Sequence, residues 1–337
     1  MGEKYGKILK FDKPADDFRS AFPLGNGKIG AMVFGGLHKE RVILSDATLW
    51  SGSDSYEYPD DVYKVLPKIE KLVLEGRYKE AQDLYISDFL AFRPMPMDGA
   101  NCGSLPYGCL QTMGDLELFF FQYGSRLNQE WYPYELERWL DLEEGTANYR
   151  HRSYWETNTP GYDKGMYYDR KALVSRKYNC FAMRISATSA GSIGFNARLS
   201  RTENYEVTAV SDDTIIMEGQ LEDGHGRGGV RYACCVRIVP EGENAYTEAN
   251  GTVLRVRRAD AAVIYVTTAT DMKSFGAPCI DDVRAAVLSD MDLAVNAGWS
   301  EIFADHAASH SGYFNRMALQ INDIDEELEA MTLDRRL

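Results

Sequence analysis

Few residues in this 337-residue chain combine a type and a spacing suited to chemistry. The run Gly25-Asn26-Gly27-Lys28-Ile29-Gly30 has the glycine density of a phosphate loop. It lacks a Gly-Lys-Ser/Thr ending and precedes an apparent strand, not a helix whose N-terminal amides could hold phosphate, so a structural turn is expected. Trp50 stands beside Ser51-Gly52 at an expected strand end. Its indole face can stack on the C–H face of a sugar while the N–H donates a hydrogen bond, and the same ring can fill a core or an interdomain seam. Asp46, four residues earlier, can accept a sugar hydroxyl or cap a local turn.

His306 and His310 are four apart on an expected helix and share one of its faces. The motif His-Ala-Ala-Ser-His lacks a metalloprotease glutamate, and only Glu301 offers a third ligand where a zinc site needs three or four. Packing of the helix explains the pair more simply, and no metal or other cofactor is expected. Acidic runs at Asp141, Glu143 and Glu144, and at Asp325, Glu326, Glu327 and Glu329, lack the apolar setting that separates catalytic carboxylate pKa values. They read as solvated faces.

The chain carries 51 acidic and 37 basic residues, a net charge of −14. That excess repels phosphate backbones and anionic lipid, so neither nucleic acid nor a membrane surface is an expected partner. Arg255, Arg257 and Arg258 around Val256 read as the wet face of a strand. Six cysteines form no C-x-x-C pair, and adjacent Cys234 and Cys235 should point to opposite faces of a strand as buried free thiols. No apolar run is long enough to span a bilayer. Met1 to Tyr5 lacks a secretory leader, so the chain as given reads as cytoplasmic, or secreted or periplasmic where a leader has been removed.

Alternation predicts many strands: Ile8–Phe11, Ile29–Phe34, Arg41–Leu44, Leu116–Phe121, Thr146–Arg152, Ala172–Ser175 and Cys180–Ala187. Ser192–Leu199, Thr214–Gln220, Arg231–Val239, Thr252–Arg257 and Ala261–Thr267 follow, with a tight hairpin turn at Asn250-Gly251. Gly224 to Gly229 reads as a hairpin tip. The expected fold is mainly β, a large two-sheet antiparallel β-sandwich spanning residues 1–275. A helical insertion rides on it near residues 60–90, with Pro67 opening a helix and Gly76 ending it in a left-handed cap. Residues 276–337 form a helical linker, divided at Gly298.

Several blocks resemble the N-terminal domain of family 95 glycoside hydrolases. They are Phe22-Pro23-Leu24-Gly25-Asn26-Gly27-Lys28-Ile29-Gly30 through Gly36, and Glu40-Arg41-Val42-Ile43-Leu44 through Trp50-Ser51-Gly52. Leu66-Pro67, Glu75-Gly76-Arg77-Tyr78, Gly114-Asp115-Leu116, Arg138-Trp139-Leu140-Asp141, Tyr168-Asp169-Arg170, His306 with Phe314-Asn315-Arg316, and Asp334-Arg335-Arg336 follow in order. Ser45-Asp46 stands where the family usually has Asn-Glu. The resemblance implies an α-L-fucosidase-like inverting hydrolase acting on fucosylated glycans, with a β-sandwich, a helical linker and an (α/α)6 catalytic barrel. Its general acid and its water-activating groups belong to the barrel, since such mechanisms hold acid and base roughly 6.5–9.5 Å apart in one cleft to admit the water. On this reading the chain ends before those groups, no catalytic residue is assigned, and the barrel of the same protein is the partner. Asn26, Asp46 and Trp50 are the positions expected to face the barrel or a sugar. The alternative is a stand-alone carbohydrate-binding or scaffold module, for which Trp50, Trp131 or Trp155 would form an exposed platform.

Overall fold

The computed structural model describes residues 7–52, 61–89, 108–121, 134–153, 166–223, 228–272, 279–319, 327–328 and 331–336. Trp131, Trp155, Cys102, the segment 224–227 and the acidic residues 325, 326 and 329 lie outside them. The strands are β1 (Ile8–Phe11), β2 (Phe22–Gly25), β3 (Ile29–Val33), β4 (Lys39–Trp50), β5 (Leu110–Phe120), β6 (Tyr134–Asp141), β7 (Thr146–Ser153) and β8 (Met166–Ser175). They continue with β9 (Cys180–Ala187), β10 (Ile193–Ser200), β11 (Glu206–Ser211), β12 (Thr214–Gln220), β13 (Arg231–Glu241), β14 (Tyr246–Asn250), β15 (Val253–Ala259) and β16 (Ala261–Thr270). Two compact units contain them: one of Met1–Leu49, Leu110–Gln220 and Val230–Leu337, the other of Trp50–Cys109 and Leu221–Gly229.

The first unit is an antiparallel sandwich. One sheet has nine strands in the order β1-β6-β7-β8-β9-β16-β13-β12-β11, and the other has seven, β14-β15-β10-β5-β4-β3-β2. The sequence explains which strand lies deepest. Every residue of β16 is buried, because its apolar run meets the other sheet on one face and a helix on the opposite one, as strands covered on both sides do. That helix, the long helix, spans Val283–Phe314. Val287, Met291, Ala294 and Ile302 on it share a core with Ala182, Cys235, Val263 and Tyr265. Asp282 caps its first turn, accepting from the Ala285 N–H. Gly298 breaks it with φ 73 and ψ 166, a left-handed backbone that a residue with a Cβ adopts only under strain.

Cys234 and Cys235 lie on opposite faces, Cys235 in the core beneath the long helix. Burial pushes the Cys180 and Cys235 thiols up to about 12, and Cys234 well above the usual thiol range. They are therefore protonated and unreactive at neutral pH. The arginines of β15 lie on its wetter side: Leu254 and Val256 are buried, while Arg255 pairs with Glu248 at 3.7 Å and Arg257 lies 4.7 Å from the Phe121 ring centroid.

In the second unit the helices are Leu66–Leu74, with Pro67 in its first turn, and Tyr78–Leu84. Gly76 between them has φ 75. Leu72 and Ala81 are buried, whereas Leu66, Val73, Leu74 and Tyr78 are exposed. Within this unit the Ser51 N–H donates to the Cys109 carbonyl and the Gly52 N–H to that of Glu222.

Candidate functional site

The run Gly25 to Gly30 forms the turn between β2 and β3. Asn26 Oδ1 accepts from the N–H groups of Lys28 (2.9 Å) and Ile29 (2.7 Å), and Nδ2 donates to the Ser175 carbonyl at the end of β8 (2.9 Å). Asn26 thus shapes its own turn and ties it to the opposite sheet. Lys28 Nζ donates to the Thr268 carbonyl at 3.2 Å. A structural turn before a strand is what the absent Gly-Lys-Ser/Thr ending implied.

Asp46 has no exposed surface. Oδ1 accepts from the Thr48 N–H (2.9 Å) and hydroxyl (2.6 Å), and Oδ2 from the Thr268 hydroxyl (2.6 Å). The Thr48 and Thr270 hydroxyls are themselves 2.6 Å apart. One carboxylate and three hydroxyls therefore join β4 to β16 across the sandwich, and each buried lone pair used in this way avoids a desolvation penalty. The turn of Asn26 and the network of Asp46 meet at Thr268, whose carbonyl serves one and whose hydroxyl serves the other. Trp50, in the second unit, is 39 % exposed and lies against Gly108.

A second polar cluster lies between the sheets, built from Glu40, Arg138 and Arg170 of three separate resembling blocks, none of these residues being an expected site position. Glu40 Oε2 accepts from Arg170 Nη1 at 2.8 Å, and Oε1 accepts from the N–H groups of Gly35 (2.8 Å) and Arg41 (3.1 Å). Burial pushes the Glu40 carboxyl above its usual range, while Arg170 and the two N–H groups pull the other way. Arg170 also donates to the carbonyls of Gly36 and Leu37 and lies 4.0 Å from the Phe120 ring centroid. Arg138, 1 % exposed, packs against the rings of Phe11 and Phe22 and donates to the carbonyls of Lys13 and Ser20. His151 is stacked on Tyr168 at 4.9 Å and 7°. Neither of its ring nitrogens has a hydrogen-bond partner among the described residues, and burial, with Arg170 and His38 adding repulsion, pushes its pKa down to about 3.

His306 and His310 share a helix face as their spacing requires, with rings 5.9 Å apart. Their Nε2 atoms lie 3.0 Å from the Gly145 carbonyl and 2.8 Å from that of Leu142, so both rings fasten the long helix to the turn between β6 and β7. Glu301 is held by the Tyr178 hydroxyl and Lys177. Of the acids in the described runs, Asp141 accepts from the N–H groups of Glu143 and Glu144, and Glu144 pairs with Lys171 at 2.8 Å.

The comparisons agree with this architecture. A. thaliana "Alpha-L-fucosidase 2" is 22 % identical over 339 residues, covering 93 % of this chain and 36 % of that protein. The chain thus spans little more than a third of that relative's length. A solved structure, "Putative kojibiose phosphorylase from human microbiome", superposes over 93 % of this chain and 38 % of its own, with a TM-score of 0.50 and 10 % identity, a likeness of fold. Residues 9–274 match the family described as "Glycosyl hydrolase family 65, N-terminal domain". The match spans well over half of the residues, and the chain belongs to this family of glycoside hydrolase N-terminal domains.

Proposed function

We propose that this sandwich is the non-catalytic N-terminal module of an α-L-fucosidase-like inverting hydrolase of the family 95 type, acting on fucosylated glycans. The observation that carries the reading is the alignment of 93 % of the chain with part of an α-L-fucosidase. The deeply buried acids support it, because Glu40 and Asp46 are each engaged by partners inside the sandwich. A general acid needs a proton free to move toward a leaving group, and a carboxylate saturated by structural donors has none to give. The module's partner would be an (α/α)6 catalytic domain of the same protein, and Asn26, Asp46 and Trp50 are each proposed to serve the contact with it or with a sugar. Asp46 would act there through the β4 backbone that it holds.

The test is an aryl α-L-fucoside assay on the 337-residue chain beside any longer product of the same coding region. Turnover confined to the longer product is expected. Comparable turnover by the short chain would overturn the proposal.

A further inference from the structure

At Gly298 the long helix opens a cleft of about 400 Å³ against the nine-stranded sheet, lined by Arg184, Glu241, Val263, Tyr265, Trp299 and Ser300 among others. Its size falls within the range of ligand pockets, about 300–1,000 Å³. Tyr265 is the informative residue. It is 2 % exposed, lines the cleft, and its hydroxyl has no hydrogen-bond partner among the described residues. The hydroxyl is not shut off from solvent, so it opens onto the cleft. Burial pushes this phenol up to about 12, so at neutral pH it remains a donor as well as an acceptor.

The other lining groups narrow the chemistry. Arg184 Nη2 pairs with Glu241 Oε2 at 2.8 Å, and both side chains are partly exposed. Their charges offset, so the cleft has little field to hold an ion, yet it presents several donors beside two acceptor oxygens. Vicinal hydroxyls, each both donor and acceptor, match that arrangement. Trp299 contributes an aromatic surface and is steadied by Phe303, whose ring lies 5.9 Å away at 13°. Aromatic area with convergent donors and acceptors and no net charge suits a ligand with a C–H face and a hydroxylated edge.

We propose that the cleft at the Gly298 break binds a neutral mono- or disaccharide, with Tyr265 and the Arg184–Glu241 pair reading hydroxyls beside the Trp299 ring. This inference goes beyond the module reading and stands independently of it, because it concerns binding by this chain alone.

Isothermal titration calorimetry of the 337-residue chain with L-fucose, D-glucose and lactose tests it, with glucuronate and sulfate as charged controls. Saturable binding of at least one neutral sugar is expected, weakened about fivefold by Tyr265→Phe, as loss of one hydrogen bond implies. Glu241→Gln should weaken it further by disturbing the pair. Melting curves for both variants, each conservative in volume, distinguish lost binding from lost folding. No saturable binding of any neutral sugar would overturn the proposal. Tighter binding of the charged controls, or sugar binding untouched in both folded variants, would overturn it as well.

Discussion

Acidification from about pH 7 to about pH 5 is expected to destabilise the sandwich through His151. The ring is 4 % exposed, without a hydrogen-bond partner at either nitrogen among the described residues, and packed against Tyr149 and Tyr168. Burial is the main reason its pKa falls from 6.5 to about 3, and Arg170 and His38 repel the added charge. The folded value lies below the unfolded one, so between them the unfolded chain binds a proton that the folded chain does not. Stability from this group is complete above pH 6.5 and is lost as pH falls toward 3. At about 1.4 kcal/mol per pH unit, the loss at about pH 5 is about 2 kcal/mol. Glu40 works in the opposite sense, since its folded pKa is raised and acidification favours the folded state. The wild-type curve alone therefore does not isolate His151. His151→Phe keeps a ring against Tyr168 and removes the titration. Urea unfolding of both proteins at the two pH values should give a double difference of about 2 kcal/mol, the variant being the less acid-sensitive. Equal pH dependence in the two proteins would refute the reasoning.

Gly145 has φ 68, and a Cβ there would lie 2.8 Å from His310 Nδ1 and 3.0 Å from His306 Nε2. Gly145→Ala should therefore lower stability by about 2 kcal/mol and loosen the long helix, read by calorimetry and by hydrogen exchange over Trp299–Phe314. Asp46→Ala leaves the Thr48 and Thr268 hydroxyls without their acceptor and should cost about 2–4 kcal/mol, measured by urea unfolding. Maleimide labelling mapped by mass spectrometry should modify exposed Cys279 in the native protein and spare Cys180, Cys234 and Cys235 until denaturant is added.

The sequence disclosed the sandwich because most strands bury apolar residues in alternation or in unbroken runs. Cys180–Ala187 and Thr214–Gln220 have the expected bounds, and the break at Gly298 was visible as a glycine within a helical stripe. The misses have physical causes. β4 extends from Lys39 to Trp50, well beyond Arg41–Leu44, because Ser45-Asp46-Ala47-Thr48 reads as a polar interruption. Its polarity is instead satisfied by Thr268 and Thr270, 222 residues away, which no local pattern reveals. β6 was hidden because Arg138, almost wholly buried, reads as a surface residue. β11 and β14 are edge strands with mostly exposed or half-buried residues, and β2 is a short strand that contains Pro23. The Glu40–Arg170 pair spans 130 residues, and the cleft at Gly298 draws on four separate segments. Neither leaves a signature in sequence spacing.

The claim that the buried acids serve the fold and not the chemistry is tested most directly by initial rates of aryl α-L-fucoside hydrolysis. The purified 337-residue chain, Glu40→Gln and Asp46→Asn are to be measured side by side, with their melting temperatures. Rates at the uncatalysed background for all three, and lower melting temperatures for the two variants, are predicted. Saturable turnover by the wild-type chain, abolished by either substitution in a folded variant, would contradict the account.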